Sequence, residues 1–275
     1  MKIKFSKMTG SGNDFILIDL FNQQLPEDDL PNFAKKLCHR SLSLGADGLI
    51  LIEKSDIADF KWRFYNSDGS EAEMCGNGAR CAARFAYMNG IAGKKMAFET
   101  VAGIISAEIL DNEVKVALTS PKDMKRNITI DLEDITIDAD FINTGVPHTV
   151  VFVNELEECR IEEIGRKIRF HKLFEPAGTN VNFVEEMSSD SIKIRTYERG
   201  VEGETLACGT GAVASAIFQF LKGGEVSPVK VLVRSGEKLK VYISKNNSKI
   251  DKVFLQGTTR LICEGTLDKE AWDYN

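Results

Sequence analysis

What the chain lacks narrows its function before any motif is found. Its 275 residues hold no apolar run near the ~18 residues needed to span a membrane, and its start, Met1-Lys2-Ile3-Lys4-Phe5, enters a Gly/Asn turn rather than a signal-peptide apolar region. The expectation is a cytoplasmic protein with no membrane partner. Basic residues are not in excess. With 35 Lys and Arg against 41 Asp and Glu, the net charge of -6 speaks against nucleic acid, whose binders present basic patches to phosphate. Histidine is scarce, at three residues, and none of the six cysteines pairs at CxxC spacing, so neither a metal site nor a disulfide framework is expected. No P-loop and no strand-GxGxxG-helix unit occurs, so the usual cofactor signatures are missing and none is expected. Small-molecule chemistry is the class that remains.

What the chain does contain is an internal repeat. MCGNGARCAARFA from Met74 and ACGTGAVASAIFQ from Ala207 share Cys, Gly, Gly and Ala at an offset of 133 residues (208 − 75). The match extends outward. Arg63-Phe64-Tyr65-Asn66 aligns with Arg195-Thr196-Tyr197-Glu198, Thr9-Gly10 with Thr144-Gly145, and Gly103 with Gly236. Two half-chains of similar architecture follow, and a length of 275 residues accommodates two domains of about 130 residues each.

A turn-rich break at Thr119-Ser120-Pro121-Lys122-Asp123 is where the duplication needs a linker. The expected halves are residues 1–121 and 128–262, with 263–275 as a C-terminal tail. Both read mostly as strands, for example FILIDL, GLILIE, FKWRFY and ISAEIL, then TVVFV, VNFVE, IKIRTY and KVYI. The exceptions are a helical run from Ala79 to Met88 stopped by Asn89-Gly90, and one from Ala212 to Leu221 stopped before Gly223-Gly224. The second is apolar nearly all round, as a helix enclosed by sheet would be. Shorter helices are expected near Phe33–Leu42 and Leu156–Ile168. The expected fold class is α+β. Two similar domains related by a pseudo-twofold each wrap a curved, mostly antiparallel sheet around a central helix, with the active site in the cleft between them.

Cys75 and Cys208 each sit just before the first turn of a central helix, where unpaired N–H groups and the positive dipole end favour a thiolate. That effect, roughly 0.3 to 2 kcal/mol, lowers a thiol pKa by at most about 1.5 units, so other groups must decide which sulfur is thiol and which thiolate. Two such sulfurs in a pseudo-twofold pair suit stereochemical inversion. One thiolate removes a proton from a tetrahedral carbon and the opposing thiol returns one to the other face, while helix N-termini hold the carboxylate on which charge builds. Cys81, two turns into its helix, reads as core; Cys38, Cys159 and Cys263 have no partner motif, and His39 and His171 read as structural or solvated.

KMTGSGNDFILID, GADGLI, YNSDGSEAEMCGNGARC, TGVPH, PAGTNVNFV and YERGVEGETLACGTGA together resemble the diaminopimelate epimerase family over residues 1 to about 215. The resemblance implies cofactor-independent interconversion of LL- and meso-diaminopimelate in lysine biosynthesis, a two-domain fold, a homodimer, and Cys75 and Cys208 as acid/base residues. Asn13, Asn66 and Asn180 resemble residues that hold the substrate's polar ends. Gly76-Asn77 and Gly209-Thr210 resemble segments whose backbone N–H groups take the reacting carboxylate. Glu198-Arg199 resembles the pair that reads the distal amino acid, and His148 and Glu198 resemble residues that tune the cysteines. The repeat itself sets His148 opposite Asn13 and Glu198 opposite Asn66. Thr9, Val146, Gly48 and the longer ERGVEGET loop depart from the family pattern. Proline and hydroxyproline racemases, the phenazine-biosynthesis isomerase type and a non-catalytic amino-acid binder are the alternative readings.

Overall fold

In the computed structural model, which describes residues 2–25, 28–72, 74–247 and 249–274, the sequence repeat becomes a repeat of secondary structure. The chain divides into two units, Met1–Val116 with Thr258–Asn275, and Ala117–Gly257. The first unit runs β1 (Ile3–Gly10), β2 (Asn13–Asp19), α1 (Leu30–Leu37), β3 (Gly48–Glu53), β4 (Phe60–Asn66), α2 (Gly76–Met88), β5 (Lys95–Thr100), β6 (Gly103–Leu110) and β7 (Glu113–Ala117). Within it, β1–β2, β3–β4, β5–β6 and β6–β7 pair antiparallel, while β2–β3 and β4–β5 pair parallel. Each parallel step carries a crossover helix, α1 in the first and α2 in the second, as parallel pairing demands.

The second unit repeats the order with β8 (Lys122–Asp131), β9 (Thr136–Asn143), β10 (Pro147–Val153), α3 (Ile161–Arg169), β11 (Asn180–Ser188), β12 (Ser191–Glu198), β13 (Gly203–Thr205), α4 (Gly209–Lys222), β14 (Val229–Leu232), β15 (Lys238–Asn246) and β16 (Lys249–Thr258). Its parallel steps, β10–β11 and β12–β14, again span helices, α3 and α4. The helix expected over Leu156–Ile168 is therefore a single 3-10 turn at Leu156–Glu158 followed by α3, and the one expected at Phe33–Leu42 begins earlier, at Leu30, and ends at Leu37. Asp29 caps that earlier start by accepting from the Asn32 N–H, and Pro31 fits the first turn, where no N–H partner is needed.

The expected domain limits differ from the observed units. β17 (Arg260–Leu267) pairs antiparallel with β1, from Ile3↔Leu267 to Thr9↔Arg260, so residues 258–262 and the expected tail belong with the first unit. The same role in the second unit is taken by β8 against β9. Of the break expected to link the halves, residues 119–121 are irregular between β7 and β8, while Lys122 and Asp123 already belong to strand β8. The outermost limits at Met1 and Asn275 lie outside the described residues.

The cores explain the continuous apolar runs. Phe15 to Ile18 on β2 and Leu49 to Ile52 on β3 are all at most 1% exposed, because both faces of these strands are covered. Ile16, Ile18, Leu49 and Leu51 pack with Phe33 and Leu37 of α1, while Phe15 and Ile50 lie under the first turn of α2 at Gly78. In the second unit Val181, Phe183 and Tyr197 pack with Ile161 and Ile168 of α3. α4 buries Val213, Ile217, Phe218 and Phe220, each contributing about 1.5–3 kcal/mol on leaving water. No helix among the described residues is long and apolar enough to cross a membrane.

Candidate active site

Cys75 is the N-cap of α2, with extended backbone (φ −143°, ψ 117°), and its Sγ accepts from the Gly78 N–H at 3.5 Å. Its carbonyl takes the first helical bond from Ala79 at 2.8 Å. The thiol thus points at the orphan donors of the first turn. Behind it the Arg80 side chain, fully buried, donates to Ser11 Oγ at 2.6 Å and to Asn77 Oδ1 at 2.9 Å. Asn77 Nδ2 donates to Asn13 Oδ1 at 2.7 Å, and Asn13 Nδ2 donates to Asp47 Oδ2 at 2.9 Å. Arg40 holds both Asp47 (2.7 Å) and Asp14 (2.8 Å), and Lys7 holds Asp14 (3.0 Å). Burial alone would raise the Asp14 pKa, but the Arg40 and Lys7 hydrogen bonds outweigh it and keep the carboxyl below its usual range.

Four sequence-predicted residues, Asn13, Cys75, Gly76 and Asn77, are therefore brought together at the α2 entry. Asn66 ends β4 opposite Gly48 and donates from Nδ2 to Ser70 Oγ at 3.0 Å, a local bond four residues along the chain. Gly48 has a steric reason: a Cβ there would lie 2.5 Å from Phe64 Cε2.

In the second unit Cys208 caps α4 in the same extended conformation (φ −113°, ψ 112°) and is 7% exposed. Its Sγ lies 3.5 Å from Thr210 Oγ1. Thr210 Oγ1 also lies 2.9 Å from His148 Nε2 on β10, and the Thr210 carbonyl accepts from Thr144 Oγ1 at 3.0 Å. Burial pushes the His148 pKa down to about 3, with the Arg199 charge adding to it, so the imidazole is neutral near pH 7. Cys208, Gly209, Thr210 and His148 thus share the α4 entry. Asn180 is buried beside them with its amide engaged at both ends, Nδ2 donating to the Pro147 carbonyl (2.9 Å) and Oδ1 accepting from the Arg199 N–H (2.9 Å). It ties the start of β10 at Pro147 to the turn at Arg199 rather than offering a loose amide. The Arg199 guanidinium donates to the Ala177 carbonyl at 3.0 Å, and Glu198, half-buried, ends β12.

Cys81 is fully buried, and burial, aided by Asp14 and Asp47, pushes the Cys38 thiol up to about 12. Cys263 is exposed on β17. His39 and His171 accept backbone N–H groups in local turns. A cavity of about 510 Å³ beside Pro147 and Ala177, floored by Phe141 and Phe174, is lined by none of the expected site residues.

Sequence reasoning missed Arg80, Asp47 and Asn182. Asn182 had a signal: Asn180 and Asn182 recur two residues apart in a strand, on one face, where asparagine is disfavoured unless it has a partner. Arg80 looked like an ordinary polar helix residue, and nothing local marks it as buried.

The model of the family described as diaminopimelate epimerase matches residues 5–123 and 141–262. The chain belongs to the diaminopimelate epimerase family. A diaminopimelate epimerase of Aquifex aeolicus is 50% identical over 284 residues, covering 99% of this chain and 100% of the relative. One of Archaeoglobus fulgidus is 41% identical over 280 residues, covering 97% of each. Among solved structures, a Bacillus anthracis phenazine biosynthesis protein of the PhzF family superposes with a TM-score of 0.75 at 17% identity, covering 98% of this chain and 99% of its own. A hydroxyproline epimerase from Agrobacterium vitis gives 0.71 at 15% identity, covering 100% and 95%. At those identities the two structures establish the α+β fold class and nothing finer. The family and its named relatives agree with the resemblance read from the cysteine motifs, and they favour it over the racemase and isomerase alternatives.

Proposed function

We propose that this family member interconverts LL- and meso-2,6-diaminopimelate by proton transfer between the α-carbon and two cysteines, Cys75 and Cys208, without a cofactor. The observation that supports it most is that each cysteine is the N-cap of the matching helix, α2 or α4. In one direction a thiolate takes the α-hydrogen as a proton, the electron pair passes into the carboxylate as an enolate-like charge, and the other cysteine's thiol delivers its proton to the opposite face. The thiol and thiolate have then exchanged places, so the resting enzyme accepts the other isomer. Backbone N–H groups of Gly76-Asn77 and Gly209-Thr210 hold the carboxylate as its charge grows, the role helix N-termini serve.

Glu198 and Arg199 read the distal amino acid in this account, Arg199 as a forked donor to carboxylate and Glu198 as an acceptor for ammonium. Asn13, Asn66 and Asn180 position the polar ends, Asn13 and Asn180 through amides already oriented by Asp47, Asn77, Pro147 and Arg199. His148 and Glu198 set the two sulfurs apart. The same reading includes a cytoplasmic homodimer in lysine biosynthesis, and the net charge of -6 supports a small-molecule partner over nucleic acid. Incubation with LL-diaminopimelate in deuterated water tests it. Formation of meso isomer is expected, with none of the other proline enantiomer formed from proline; racemisation of proline, or binding of diaminopimelate without α-exchange, contradicts it.

A further inference from the structure

Asn182, on β11, is fully buried. Its amide orientation is settled by its neighbours. The Thr149 carbonyl, 3.1 Å away, can only accept, so the group facing it is Nδ2, and Oδ1 accepts from the Thr196 hydroxyl at 3.0 Å. Nδ2 has a second hydrogen, and His148 Nδ1 lies 3.2 Å from it. Nδ1 must therefore be the lone-pair nitrogen, and a neutral ring then carries its hydrogen on Nε2, which faces Thr210 Oγ1 at 2.9 Å. Thr210 Oγ1 accepts from that N–H and keeps its own hydrogen to offer, and Cys208 Sγ, 3.5 Å away, can act only as its acceptor once the sulfur is a thiolate.

We infer that Asn182 locks His148 in the Nε2–H tautomer, so that donors run in one direction, Asn182 to His148 to Thr210 to Cys208, and the chain ends by stabilising Cys208 as thiolate. Asn182 and His148 are positioning residues acting through Thr210. His148 in this arrangement does not accept the cysteine's proton; it orients a hydroxyl toward the sulfur. The neutrality of the ring, which the lock requires, agrees with its complete burial. The inference rests on the reading of Cys208 as a proton-transfer group, and it adds residues to that group's support.

The three histidines make a direct test practical. Enzyme labelled with ¹⁵N-histidine, carrying His39→Gln and His171→Gln, is studied by two-bond ¹H–¹⁵N correlation spectra at pH 7. The expected pattern is one ring protonated at Nε2 alone, changing to Nδ1 protonation in Asn182→Asp, whose carboxylate must accept. A wild-type ring protonated at Nδ1 or at both nitrogens overturns the inference whatever the variants do. A second arm follows alkylation of Cys208 by iodoacetamide, mapped by mass. Thr210→Val should slow it about tenfold, equivalent to about one pKa unit, and Thr210→Ser should restore it; equal rates in all three proteins overturn the inference. Neither readout needs turnover. The opposite tautomer in an enzyme that still epimerises diaminopimelate would refute the lock and leave the two-cysteine reading intact, whereas the expected tautomer in a protein that does not turn over would do the reverse.

Discussion

His148 Nε2 lies 2.9 Å from the Thr210 hydroxyl, in the place where the first unit sets Asn13 Oδ1 2.7 Å from Asn77 Nδ2. The two contacts join equivalent positions of the repeat, a strand residue and the second residue of the central helix. Their polarity is opposite. In the first unit the helix residue donates to the strand and the donors run on from Arg80 toward Asp47; in the second the strand residue donates toward the helix and the sulfur. A duplicated scaffold thus gives its two cysteines unlike surroundings, a buried guanidinium network near one and a neutral imidazole near the other, as an acid and a base in one reaction require.

If the helix caps carry the chemistry, Cys75→Ala and Cys208→Ala should each reduce epimerisation by at least about a thousandfold while folding normally. Cys81→Ala should keep most turnover and lose about 1 kcal/mol of stability, since it removes one fully buried atom. Steady-state kinetics and urea unfolding of the three variants check this.

The matched glycines Gly78 and Gly211 should respond differently to alanine. A Cβ at Gly78 meets Ile50 Cδ1 at 3.3 Å, a small adjustment, and alanine favours helix by about 1 kcal/mol. A Cβ at Gly211 would lie 2.2 Å from Asn182 Oδ1, which is held by Thr196 and cannot retreat without breaking the His148 chain. Gly78→Ala is expected within about 1 kcal/mol of wild type in urea unfolding, and Gly211→Ala to lose about 2 kcal/mol or more together with activity.

Much of this was legible locally. The repeated CGxG strings set both helix entries, and the Gly stops set their ends, because capping and glycine termination are decided by adjacent residues. The pairing of β17 with β1 was not, since sheet closure between residues 3–9 and 260–267 leaves no local mark. Nor was the burial of Arg80. Its guanidinium is accommodated by Ser11 and Asn77, partners that only the fold brings within reach.

Replacing Arg80 by Met should cost at least about 2 kcal/mol, because Ser11 Oγ and Asn77 Oδ1 would be left buried without their donor. Arg80→Lys, which keeps a cationic donor group, should lose less. Equal stability of wild type and Arg80→Met in urea would contradict the network described for the α2 entry.

The pH dependence of stability has a defined sign. His148 titrates at about 3 when folded and near 6.5 when unfolded, so between those values the unfolded chain binds a proton that the folded one does not. Its contribution is complete above pH 6.5 and is lost as pH falls toward 3, by up to about 1.4 kcal/mol per unit. From pH 7.5 to 5.0 the wild type should lose about 2 kcal/mol more than His148→Gln, because other titrating groups are common to both. Parallel losses in the two proteins would mean that the ring is not buried neutral.

The central claim is that two different groups serve the two faces of the α-carbon, and the fate of the substrate's hydrogen tests it most directly. LL-diaminopimelate with ordinary hydrogen is converted in deuterated water, stopped at a few per cent conversion, and the meso product analysed by mass and NMR. With Cys75 and Cys208 as separate donors and acceptors, every inverted centre carries solvent deuterium while the unconverted LL isomer keeps its hydrogen. Meso product retaining the original hydrogen at the inverted centre would show that one group removed and returned it, and would contradict the account.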